Sequence, residues 1–129
     1  MIGNSWRIAT ITALCMLCML QGVLSDTPLV FTASWPTGHN GKFCVPVNRE
    51  LYDWRVHLVF SQPVTKLILF EAEVVSSLNN GKEYIIHNQI WNGVEHTGDQ
   101  ICEGFVANTD FSVHSLSGHA FLEGKSASS

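Results

Sequence analysis

Between residues 26 and 124 the sequence is a succession of short β-rich runs broken by turn residues, with no sustained helical period. A chain of this kind can only pack strands on strands. The runs are Pro28–Ser34, Lys42–Asn48, Trp54–Phe60, Val64–Val75, Glu83–His87, Gln100–Ala107 and Phe111–Leu122, the last broken near Gly118. Trp54–Phe60 alternates cleanly, with Trp54, Val56, Leu58 and Phe60 on one side and Arg55 and His57 on the other. That period of two marks a strand with one buried face. TGHNG at 37–41 reads as a breaker, Gln62-Pro63 as a turn, and Asn79-Asn80-Gly81 as a hairpin turn supplying left-handed positions. Pro46 suggests an edge strand or a bulge. Strands without helices, with turns about every eight to twelve residues, predict an all-β antiparallel β-sandwich, immunoglobulin-like or jelly-roll-like. About seven to nine strands are expected.

The front of the chain is different. Arg7 precedes an uncharged run from Ile8 to Ser25, whose strongly apolar part, Ile11–Leu20, has the length of a signal-peptide core. It is too short to span a bilayer, which takes about twenty apolar residues. Residues 1–25 are expected to be a signal peptide cleaved after Ser25, making the protein secreted and extracellular, with no membrane attachment in the mature form. Residues 26–124 then form one domain, a monomer is expected, and the polar tail at 125–129 is expected to be disordered. Removal of the leader takes two of the four cysteines with it, leaving Cys44 and Cys102. In a secreted chain two cysteines default to a disulfide, against the alternative of two free thiols. Two thiols without paired-Cys or paired-His spacing make no zinc cage, so no metal and no cofactor are expected.

Net charge is −4, with no basic patch to neutralise a phosphate backbone, so nucleic acid is excluded as a partner. Catalysis finds little support. Glu71 and Glu73 share a strand face but have nothing nearby to split their acidities. None of the six histidines forms a helical metal motif, and there is no nucleophile elbow or phosphate loop. Binding is better served. Trp54 stands among apolar residues and reads as core, whereas Trp35 in SWPTGHNG and Trp91 in NQIWNG stand among turn residues and read as exposed. An exposed indole covers the apolar face of a pyranose while neighbouring amides bond its hydroxyls. His39 and Asn40 beside Trp35, and Gln89 and Asn92 beside Trp91, are the candidate hydroxyl partners, with turn formation as their alternative role.

The stretches WPTGHNGKFCVPV, LYDWRVHLVFSQPVTKLILFEAEV and NGKEYIIHNQIWNGVEHTGDQICEGFVA together resemble the family 2 carbohydrate-binding modules, in their animal, cellulose-binding form. The likeness runs from about Thr32 to Gly124, and IWNGVEHTGDQICEGF carries its most specific spacing. The resemblance implies a β-sandwich with a strip of aromatic rings that docks on insoluble β-1,4-linked polysaccharide, above all cellulose, with chitin or xylan in some relatives. Trp35 and Trp91 correspond to strip aromatics and Trp54 to the buried Trp. The third strip position falls on Phe70, where the family usually has Trp, while the parity of Ile68, Phe70, Ala72 and Val74 would make Phe70 a core residue. Lys42 lies near a position where many relatives carry a ligand-bonding Asn. A chitin-binding matrix or defence protein, and a protein-interaction sandwich without sugar affinity, are the alternatives to a cellulose-binding module.

Overall fold

The computed structural model describes residues 26–124; the expected signal peptide and the expected disordered tail lie outside the described residues. Nine strands form: β1 (Asp26–Pro28), β2 (Val30–Trp35), β3 (Gly38–Pro46), β4 (Arg55–Phe60), β5 (Lys66–Leu69), β6 (Ala72–Leu78), β7 (Glu83–Asn88), β8 (Gln100–Asn108) and β9 (Gly118–Leu122). They make a five-stranded sheet in the order β1-β9-β4-β7-β6 and a four-stranded sheet in the order β2-β3-β8-β5, all antiparallel. The architecture is the two-sheet sandwich expected. No helix among the described residues is long and apolar enough to cross a membrane.

The core lies between the sheets. Val56, Leu58 and Phe60 of β4 face Phe43 and Val45 of β3 and Ile101 and Phe105 of β8, with Ile86 and Tyr84 from β7. Phe105 is its hub, taking edge-to-face contacts from Phe31 at 5.7 Å and Phe60 at 6.0 Å between centroids. Trp54 is 4% exposed and closes one end of this core, as its apolar surroundings predict.

Four local expectations are corrected. Pro28–Ser34 is two strands in different sheets, because the chain crosses at the buried Leu29, whose N–H bonds Gly118 O. Val64–Val75 likewise splits into β5 and β6 and changes sheet at Phe70–Glu71. TGHNG is not a breaker: Gly38–Gly41 begins a nine-residue strand, and the turn is confined to Pro36-Thr37. Of Phe111–Leu122 only Gly118–Leu122 is strand. Asn79-Asn80-Gly81 does close the β6–β7 hairpin, as one turn of 3₁₀ helix with φ of 54°, 57° and 82°. The cysteines are bonded as expected. Cys44 and Cys102 stand directly opposite on β3 and β8, on the solvent side of the four-stranded sheet.

Candidate carbohydrate-binding face

The glycines of β3 and β8 explain the outer surface of the four-stranded sheet. On β3, His39, Gly41, Phe43 and Val45 point inward, so Gly38, Asn40, Lys42 and Cys44 point outward. Their partners on β8 are Asn108, Val106, Gly104 and Cys102. A Cβ on Gly38 would lie 2.5–2.6 Å from three atoms of the Trp35 indole. Near-equal distances to three ring atoms mean that the indole lies down over the glycine. A Cβ on Gly104 would lie 3.0 and 3.2 Å from two atoms of the Phe70 ring. Each glycine leaves room for an exposed aromatic ring to come close to the sheet. Trp35 is 43% exposed and Phe70 63%.

Four residues of strand separate the Gly38 row from the Gly104 row, roughly 13 Å at about 3.3 Å per residue. Asn40, Val106 and the exposed Ile68 fill the row between them. Phe70 is thus a surface residue. The parity that would bury it fails because the chain crosses to the other sheet immediately after it, so Ala72 is buried in a different sheet.

Trp91, 69% exposed, stands on the loop between β7 and β8 rather than on the sheet. Its loop is tied to the crossover that carries Phe70. Asn92 Nδ2 donates to Glu71 O at 2.8 Å, Asn92 Oδ1 accepts from Gln89 N at 2.7 Å, and Asn92 O accepts from Trp54 Nε1 at 2.8 Å. The crossover is clamped from beneath by Glu103, whose Oε1 accepts from both Phe70 N and Glu71 N at 2.7 Å. Glu103 is buried on the inner side of β8, and that burial holds its carboxyl above the usual carboxylate range, with the Glu71 charge adding to the effect. The core Trp54 and the buried Glu103 therefore position two exposed rings.

The expected hydroxyl partners divide. Asn40 sits half-buried on the outer face between the two ring rows, and Gln89 is half-buried beside Trp91. Asn92 is half-buried and also ties its loop, and His39 is corrected. His39 is 2% exposed on the inner face, with Nδ1 2.9 Å from Ser34 Oγ and Nε2 3.2 Å from Thr109 Oγ1. Both ring nitrogens of His39 are occupied within the protein, whereas the Asn92 amide spends one N–H and one acceptor site on its loop and keeps a second N–H. Sequence reasoning missed Asn108, outward beside Gly38, and the two glycines that seat the rings. Only the strand register reveals them.

Among the described residues no group of three or more His, Cys, Asp and Glu is able to hold a metal. Glu71 and Glu73 are both exposed, and Glu73 lies 3.6 Å from His87.

No protein-family model matches the chain, and neither does any curated protein. Solved structures do. The chitin-binding domain of Chi18aC from Streptomyces coelicolor is 27% identical over 80% of this chain and 94% of its own length, with a TM-score of 0.51. The chitinase ChiA74 from Bacillus thuringiensis is 21% identical over 65% of this chain, with a TM-score of 0.53, and shows the fold alone. This chain spans 13% of that chitinase's length. The likeness is to carbohydrate-binding-module-like domains. It singles out neither family 2 nor cellulose.

Proposed function

We propose that the chain is a secreted, non-catalytic module that holds to an insoluble β-1,4-linked polysaccharide, chitin in preference to cellulose, through the outer face of its four-stranded sheet. The observation that carries this reading is the pair of rings, Trp35 and Phe70, lying over Gly38 and Gly104 on one sheet face. Exposed rings held close on one flat sheet face suit a flat ligand. A pyranose ribbon presents its C–H faces to them, while Asn40 and Asn108, on the same face between and beside the rings, offer amides to its hydroxyls. Covering about 100 Å² of a ring at about 25 cal/mol/Å² gains roughly 2–3 kcal/mol before association costs. One ring is weak, and several engaged along one polymer give useful affinity.

Chitin is preferred over cellulose because the matched domain of comparable length is a chitin-binding domain. The experiment is depletion of the protein from solution by microcrystalline chitin, cellulose and xylan, with Trp35→Ala in parallel. The expected result is depletion strongest on chitin and weakened at least tenfold by the substitution. A folded chain depleted by none of the three polymers rejects the reading in favour of a protein-interaction sandwich.

A further inference from the structure

On the same outer face, a groove of about 380 Å³ runs between the Phe70 ring and the Cys44–Cys102 disulfide. Its origin is the register. Lys42 faces Gly104 across the strands, and Cys44 faces Cys102 two residues further on. Gly104, with no side chain, lets the Phe70 ring sit close to the strand, and the groove opens from the edge of that ring toward the two sulfurs. One wall is the aromatic ring, and the other is the exposed disulfide, whose sulfurs are soft and polarisable. Lys42 and Glu71, both exposed, also line it. Ion pairs among the described residues all run through histidines, so the Lys42 ammonium has no carboxylate partner there.

We propose that this groove receives the N-acetyl group of an amino sugar stacked on Phe70, and so selects chitin over cellulose. The inference rests on the polysaccharide-binding reading and adds its specificity site. The groove is large enough to take an acetamido group. Its methyl lies between ring and disulfide, its carbonyl accepts from the Lys42 ammonium, and its N–H turns to Glu71 at the rim. Cellulose has a hydroxyl at the same carbon, which fills neither the volume nor the apolar walls. The groove is continuous with the platform, since Phe70 belongs to both.

A buried methyl is worth about fourfold in affinity, and the Lys42 hydrogen bond about three- to tenfold more. The test is the ratio of chitin to cellulose affinity from depletion isotherms of the full chain and two substituted chains, with thermal melts as the check on folding. Lys42→Met removes the donor while keeping the aliphatic stem, and Phe70→Trp fills the groove with a larger ring. The unsubstituted chain is expected to prefer chitin by about tenfold or more, and each substitution is expected to lower that preference at least threefold. Equal affinity for the two polymers, or a preference that both substitutions leave intact, overturns the acetamido groove. A folded unsubstituted chain that binds neither polymer overturns instead the platform reading beneath it.

Discussion

Replacing Gly38 by Ala tests whether the Trp35 ring lies where the strand register puts it. Gly38 does not adopt a positive φ, so its backbone accepts a side chain. In open space such a substitution would stabilise by about 0.4–1 kcal/mol, by lowering the entropy of the unfolded chain. Here the new methyl starts 2.5 Å from Cε2 and Cζ2 of Trp35, against 3.4–4 Å for ordinary contact. The indole must rise or tilt by about 1 Å to reach that range. Lifting it exposes an underside of about 50 Å², costing roughly 1–2 kcal/mol at the usual area coefficient. The net change is a loss of about 0.5–1 kcal/mol, which lowers Tm by roughly 2–8 °C for a domain of this size. A tilted ring also loses about half its contact with a flat ligand, close to tenfold in affinity. Thermal melts and chitin depletion isotherms measure both effects. Gly124→Ala, where an added Cβ meets nothing within 4 Å, is the control and should leave chitin binding unchanged with Tm level or slightly raised. Gly104→Ala, at 3.0 Å from Phe70, should act in the same direction but less. A Gly38→Ala chain with raised Tm and undiminished chitin binding refutes the ring-over-glycine geometry.

Trp91→Ala is expected to cost most of the chitin depletion with almost no change in Tm, whereas Trp54→Ala removes a buried ring and destabilises by about 3–5 kcal/mol; equal unfolding of the two would contradict their assigned roles. Glu103→Ala leaves the Phe70 and Glu71 amides without their acceptor and should cost about 2–4 kcal/mol, while Glu103→Gln keeps an acceptor oxygen and drops a charge whose burial is unfavourable. Chemical denaturation of the two chains at pH 7 checks the order, with Glu103→Gln at least as stable as the unsubstituted chain. The exposed pair His96–Glu50 gives a pH window. Hydrogen bonding and charge raise His96 above 6.5 and, with the Thr97 amide, lower Glu50 below 4.5. The His96 contribution is complete below 6.5 and fades as pH rises through the folded value; the Glu50 contribution is complete above 4.5 and fades as pH falls. The pair therefore helps most between these limits, and NMR titration of the two side chains should show the opposed shifts, with that of His96 reduced in Glu50→Gln.

Much of this architecture was legible because it is written locally. The alternation of Trp54–Phe60 and the left-handed turn at Asn79-Asn80-Gly81 each follow from a few adjacent residues, and the disulfide follows from the count of two cysteines outside the expected leader. So does the exposure of Trp35 and Trp91 among turn formers. What was not legible depends on partners far along the chain. A β-rich run looks the same whether it stays in one sheet or crosses to the other, so the switches at Leu29 and at Phe70–Glu71 are invisible without the packing. The clamp on the second comes from Glu103, more than thirty residues away. His39 is drawn inward by Thr109, 70 residues later, and Asn92 is engaged by Glu71. Gly38 reads as part of a breaker and Gly104 as one more residue of a strand until the register sets an aromatic ring beside each.

The most direct test of the account follows the backbone amide signals of the protein by NMR during titration with a soluble chitin oligosaccharide. The account predicts shifts confined to the outer face of the four-stranded sheet and its rim, at Trp35, Asn40, Lys42, Phe70, Gly104 and Trp91. The His57, His119 and Phe121 stack on the opposite sheet should stay still. Shifts centred on that stack, or on the cleft formed by Arg49, Tyr52 and Arg55 at the end of the sandwich, would contradict it.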